Sequence, residues 1–162
     1  MSEDGGPPVR VHVHFAVSGT FPLRVADLCF TDAGVSVLEY ALVTPLHGLL
    51  RRSPSAHAAA FADVYRADGL AGAREFADVE HRVPYADVET VRLYDGGAFG
   101  REKIVVDADG RSFAYRVHAP VDLDALARAL SALGRRRGFA VERRSGLGFS
   151  PRESLARFLR SA

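Results

Sequence analysis

Residues 84–133 read PYADVETVRLYDGGAFGREKIVVDADGRSFAYRVHAPVDLDALARALSAL. Asp95-Gly96-Gly97 and Asp109-Gly110 punctuate runs rich in Val, Ile, Tyr and Phe, the pattern of strands joined by tight antiparallel connections. The reading is a turn at Pro84 to Asp87, then strands near Val88 to Tyr94, Glu102 to Asp107 and Arg111 to His118. In the last of these Phe113, Tyr115 and Val117 share one face, and Ser112, Ala114, Arg116 and His118 the other. A helix follows, with Leu123, Leu126, Leu130 and Leu133 in one core stripe ended by Gly134. It is expected to cap an open end of the sheet.

Upstream, Val9 to Val17 alternates, placing Val9, Val11, Val13, Phe15 and Val17 on one face. Arg10, His12 and His14 fall on the opposite face, toward solvent or a polar covering element. PLRVADLCF and GVSVLEYALV flank Thr31-Asp32-Ala33-Gly34, a hairpin loop. Leu23 and Val25 differ in parity from Leu28 and Phe30, which predicts a bulge near Ala26-Asp27. Ser53-Pro54 opens a helix that runs toward Gly69, with Phe61, Val64 and Tyr65 as its apolar stripe and a further turn over Ala73 to Ala77. Downstream, Arg135-Arg136-Arg137 precedes a short strand at Phe139 to Glu142. A last helix opens at Ser150-Pro151, with Glu153 completing a capping box and Leu155, Phe158 and Leu159 as its docking stripe.

The chain of 162 residues, 48% hydrophobic, can bury one continuous core. Cys29, the single cysteine, sits in apolar VADLCF, so no internal disulfide forms and a reducing compartment is expected. No apolar run is long enough to span a bilayer. Residues 1–120 carry 12 basic and 16 acidic side chains, a net of −4; residues 121–162 carry 9 and 4, a net of +5. That asymmetry suits an anionic partner at the C-terminal end.

Together, Val83, Pro84, Tyr85, Asp87, Val88 and Val91, then Asp109, Gly110, Phe113 and Tyr115, then the helix Leu123 to Leu133, resemble the pleckstrin-homology-like (PH-like) superfamily, particularly its GRAM and bacterial PH branches. The resemblance covers about two thirds of the chain. It implies an α+β fold: a curled antiparallel sheet of six to seven strands, with an inserted helix over 53–77, a closing helix and a short C-terminal helix. Residues 1–8 would be a leader, 9–134 the PH-like domain and 135–162 a basic extension. Two departures accompany it: the closing helix has no tryptophan, and the first hairpin loop, SGTFPLR, offers only Arg24 where inositol-lipid binders carry several basic residues.

Three stretches bear chemistry. Arg135, Arg136, Arg137, Arg143 and Arg144 flank FAV and suit phosphate groups, although arginines at a helix end also complement its exposed carbonyls. His12 and His14 project from one strand face and could share a metal ion, completed by His118, His81, His47 or a carboxylate; the plainer reading is half-exposed histidines. Asp95 to Gly100 lacks the Gly-Lys-Ser/Thr ending of a phosphate loop and reads as a hairpin, with Phe99 either exposed at its tip or folded back. There is no Gly-x-Ser-x-Gly elbow, Cys29 has no partner base, and the carboxylates are assigned to turns and helix starts. The expectation is a cytoplasmic, non-enzymatic binding module without a cofactor, contacting a partner protein or, peripherally, an acidic membrane surface. The alternatives are a small metal-dependent enzyme using His12 and His14, and nonspecific nucleic-acid binding by the arginine-rich tail.

Overall fold

The computed structural model describes residues 6–19, 22–43 and 53–146. Its elements are β1 (Val9–Ser18), β2 (Leu23–Thr31), β3 (Gly34–Val43), α1 (Pro54–Phe76), β4 (Val79–Pro84), a 3₁₀ turn (Tyr85–Asp87), β5 (Val88–Tyr94), β6 (Lys103–Ala108), β7 (Arg111–Val117), α2 (Leu123–Arg137) and β8 (Ala140–Arg144). The helix expected from Ser150-Pro151, with Glu153, Leu155, Phe158 and Leu159, lies outside the described residues, as do His47 and most of the leader.

All eight strands form one curled, unclosed sheet in the order β4-β3-β2-β1-β7-β6-β5-β8. Two expectations are corrected here. The sheet has eight strands where six to seven were anticipated, and it is mixed where an antiparallel one was anticipated, because β8 runs parallel to β5. The additional strand, β4, reads VEHRVP, whose three consecutive polar residues conceal it; its ladder to β3 is nonetheless regular from Gly34↔Pro84 to Glu39↔Val79. β8 reaches the far edge because α2 carries the chain back across the sheet, and a parallel pair requires such a crossover.

The opening stretch forms three strands and a helix as expected, although the β5–β6 connection is the long loop 95–102 and not a tight turn. Tyr85, in the 3₁₀ turn, is buried and donates its hydroxyl to the Thr31 carbonyl at 2.6 Å, docking the turn against the end of β2. Phe113, Tyr115 and Val117 are all buried. Asp122 caps α2 by accepting from the Ala125 amide at 2.9 Å, and Leu126, Leu130 and Leu133 pack on the sheet. The helix passes Gly134 and ends at Gly138, whose φ of 89° is left-handed and therefore suited to glycine. Arg135, Arg136 and Arg137 are thus the last turn of α2, and Phe139 is buried, stacked on Tyr85 at 5.4 Å.

The sheet is covered on two sides. One core gathers Val13, Leu28, Phe30, Val91, Leu93, Ile104 and Val106 beneath α2. A second places Val25, Cys29, Leu38 and Tyr40 beneath α1, with Phe61, Leu70 and Ala73 from the helix. Ser53 caps α1, and Pro54 occupies its first turn, where the missing N–H costs nothing. α1 continues through a kink at Gly69, whose φ of 63° no other residue would adopt so readily, and so delivers Leu70, Ala73 and Phe76 to the sheet.

Candidate functional site

Two bulges decide what lies beneath α1. Between Val13 and Ala16, β1 advances three residues while β2 advances two, from Leu28 to Ala26. Between Val25 and Ala26, β3 carries the extra residue, because Val25 pairs Ala41 and Ala26 pairs Glu39, leaving Tyr40 unmatched. The β1 bulge holds Phe15 at a φ of 50°, a left-handed conformation that is strained for a bulky residue. It also reverses the expected alternation: Val11 and Val13 face the α2 core, whereas Phe15 and Val17 face the α1 core.

Both bulges converge on Asp27. Its side chain is 0% exposed, and four donors surround it. Oδ1 accepts the Phe15 amide and the Tyr40 hydroxyl, each at 2.9 Å. Oδ2 meets His12 Nε2 at 2.7 Å and His14 Nδ1 at 2.8 Å. Burial pushes the Asp27 pKa up, but the hydrogen bonds and positive character of His12 and His14 outweigh it, so the carboxyl is held below its ordinary range. Burial, and then the neighbouring Asp27 charge and hydrogen bond, push the Tyr40 phenol well up. Tyr65 of α1 covers His12, with ring centroids 4.5 Å apart. The histidine rings remain 24% and 33% exposed, so solvent reaches the cluster from one side.

His118 packs against Phe15 and His81 lies 3.6 Å from Glu39, so neither joins His12 and His14. The third member is Asp27, one of the carboxylates that the sequence admits as completing the pair without singling it out. Its signal was present: a lone carboxylate inside VADLCF, beside the expected bulge, has to be satisfied by something. Glu39, in GVSVLEYALV, is a second such case. It is buried and accepts the Tyr115 hydroxyl at 2.7 Å, with Arg24 at 3.4 Å.

Arg135, Arg136 and Arg137 lie on α2 and Arg143 pairs with it, while Arg144 points to the opposite face of β8; by their pairing these arginines divide into two sets. Arg137 donates to Asp32 at 2.9 Å beside Arg10, fastening the end of α2 to the β2–β3 turn, and together they hold the Asp32 pKa at about 2. Arg143 pairs with Asp124, and Arg144 with Glu142 at 2.6 Å. Arg135 and Arg136 form no ion pair with a described residue. Arg128, Ser131, Arg135 and Arg143 line a shallow groove of about 450 Å³ along α2, with Asp124 and Ala127.

The loop between β5 and β6 is joined to β8, the strand that carries Arg143 of that groove. Asp95 Oδ1 accepts the amides of Gly97 at 2.9 Å and Gly146 at 2.8 Å, and the Asp95 amide donates to the Arg144 carbonyl. The loop is thereby tied to the end of β8. Phe99 stands at its tip, fully exposed at 102%.

No family model matches the chain, and no curated protein does. Among solved structures, the hSac2 domain from human phosphoinositide phosphatase Sac2 is similar, at 10% identity over 93% of this chain and 85% of that one, with a TM-score of 0.46. A likeness this slight carries no argument about fold family or function.

Proposed function

We propose that the chain is a PH-like docking module that seats on an acidic membrane surface, with Arg128, Arg135 and Arg143 meeting lipid phosphates and Phe99 entering the interface. The PH-like part of the proposal rests on the order of the elements: two meanders, β1 to β4 and β5 to β7, joined through β1 and β7, with α2 closing over the core they share. β8 and α1 would be additions to that plan.

The observation that carries the membrane reading is Phe99. Phe99 is fully exposed, and it sits on a loop hydrogen-bonded to the strand that bears Arg143 and Arg144. An apolar anchor on a loop tied to an arginine-bearing strand matches a bilayer whose acidic headgroups overlie hydrocarbon. In the groove three arginines face one aspartate, so the lining is net positive, and Arg135 is not committed to a carboxylate of the described residues.

Sedimentation with vesicles tests this. Full-length protein is expected to co-sediment with phosphatidylcholine vesicles containing phosphatidylserine, and not with phosphatidylcholine alone. Recovery should fall as salt shortens the Debye length below about 8 Å. At about 1 kcal/mol per basic residue near the surface, Arg128→Gln/Arg135→Gln should weaken partitioning about thirtyfold. Equal recovery with neutral and anionic vesicles overturns the proposal. So does unchanged anionic binding by that double variant combined with Phe99→Ser. Tighter binding to duplex DNA than to anionic vesicles would favour a nucleic-acid backbone as the ligand instead.

A further inference from the structure

We propose that His12 Nε2, His14 Nδ1 and Asp27 Oδ2 form a binding site for a divalent first-row transition metal, zinc being the plainest occupant. The three ligand atoms lie within 4.8 Å of one another. Both imidazole nitrogens converge on the same carboxylate oxygen, at 2.7 and 2.8 Å. Two imidazoles and one carboxylate oxygen around a single point form a donor set suited to zinc, and with open positions to iron.

The surroundings favour an ion over a closed hydrogen-bonded knot in three ways. First, the work of the carboxylate is divided. Oδ1 is held by the Phe15 amide and the Tyr40 hydroxyl, which fix the plane of the group and leave Oδ2 facing the histidines. Outer hydrogen bonds of this kind orient a metal-ligating carboxylate. Second, the movement required is small at Asp27, while the two imidazole nitrogens, within 4.8 Å of one another, close toward the spacing an ion sets. Metal–ligand bonds of about 2.0–2.2 Å set at 90–109° hold neighbouring ligand atoms about 3.0–3.4 Å apart. Each imidazole therefore withdraws from Oδ2 by only a few tenths of an ångström. Third, the protons have somewhere to go. A neutral imidazole that presents Nε2 of His12 or Nδ1 of His14 to an ion carries its proton on the opposite ring nitrogen, and an imidazolium releases one proton to solvent. Those opposite nitrogens donate to no described residue, and both rings are partly open to water.

Three protein ligands leave room for water on the exposed side, so the ion would be solvent-accessible and exchangeable. The strained Phe15 has a role in this arrangement. Its φ of 50° aims its own amide at Asp27 while keeping His14 beside His12.

The test uses tag-free, full-length protein freed of metal by a chelator. Titration with Co²⁺ should give visible ligand-field bands that saturate at about one equivalent, and Zn²⁺ should displace them. His12→Gln and His14→Gln should each weaken Co²⁺ binding about tenfold or more while unfolding remains cooperative. X-ray absorption on the zinc-loaded wild type provides a readout that needs no variant, and should show two imidazole nitrogens with the remaining ligands oxygen. Absence of Co²⁺ bands at millimolar metal overturns the proposal, as does a zinc shell with no imidazole. Wild-type affinity in a folded His12→Gln/His14→Gln variant overturns it equally. Vesicle binding is read separately, so either proposal can fail without the other.

Discussion

Tyr115 in β7 donates its hydroxyl to Glu39 in β3 at 2.7 Å, although β1 and β2 lie between those strands in the sheet. The bond spans 76 positions of sequence and crosses the hollow of the curled sheet. It satisfies a carboxylate that, among the described residues, is otherwise approached by Arg24 and His81 at 3.4 and 3.6 Å.

Replacing Tyr115 with Phe should therefore cost more than one ordinary hydrogen bond. The ring still packs, but Glu39 is left with its longer contacts, and a buried acceptor deprived of its partner costs about 1–3 kcal/mol. A lowered urea midpoint with an unchanged m-value is the expected result.

Asp27→Asn should be more damaging. Four donors converge on the carboxylate, and an amide offers one accepting oxygen while its nitrogen faces two of those donors with hydrogens of its own. Breaking such a buried charged cluster costs about 3–5 kcal/mol. The sign of the pH dependence follows from the lowered folded pKa. Stability from Asp27 is complete above the unfolded value of 3.8 and is lost as pH falls toward and through the folded one. Urea unfolding from pH 6 down to pH 2 should show wild type losing stability across that acid range, and a folded Asp27→Asn protein losing less.

Asp32 gives a local acid response. Arg10 and Arg137 hold its pKa at about 2, so the tie between the β2–β3 turn and the end of α2 should persist well below the ordinary 3.8 and loosen near pH 2. Asp32→Asn should release it at neutral pH. Amide hydrogen exchange over Arg135 to Gly138 is expected to quicken, while exchange in β2 and β3 stays slow.

Phe61 joins α1 to the sheet. It is fully buried and stacks on Tyr40 at 4.4 Å, with Phe76 at 5.9 Å. Phe61→Ala should remove about 3–5 kcal/mol by emptying that contact. It should also expose Cys29, which packs in the same cluster.

Cys29 reports the same core chemically. Burial first, and then the Asp27 charge, push its thiol up to about 12, so little thiolate exists at neutral pH. Folded wild type should resist thiol labelling and react only after denaturant is added, whereas Phe61→Ala should react without it.

Residues 84–133 were legible because each of their features is local: turn residues, period-two strands and a leucine stripe ended near glycine. β1 was legible as a strand but not in its facing. A run that alternates from Val9 to Val17 gives no sign of the extra residue that turns Phe15 and Val17 to the other side, because a bulge is set by its partner strand. The bulge expected in β2 near Ala26-Asp27 falls on its neighbours instead: β2 keeps its alternation, with Val25 and Cys29 toward α1 and Leu28 and Phe30 toward α2, and the extra residues lie in β1 and at Tyr40 of β3. β4 was hidden by polar residues at Glu80, His81 and Arg82, which tertiary ion pairs accommodate: Arg74 and Arg82 both reach Glu80 at 2.8 Å.

The site residues show the same division. His12 and His14 were recognisable as a pair on one strand face, while Asp27 required knowing that two bulges would bring their donors to it. Among the arginines, type and clustering were visible, but pairing was not. Asp124 and Asp32 lie far from Arg143 and Arg137 in sequence, and only the fold brings them together.

A sheet that stops short of closing keeps two free backbone edges, which could template another strand. Among the described residues one edge is β4, with Glu80, His81 and Arg82, and the other is β8, with Glu142, Arg143 and Arg144. A second copy aligning there would have to strip water from charged side chains already committed to Arg74, Arg82 and Asp124. The ion pairs that hide β4 from sequence inspection therefore also discourage strand-by-strand self-association, and the open curl ends without inviting a ninth strand.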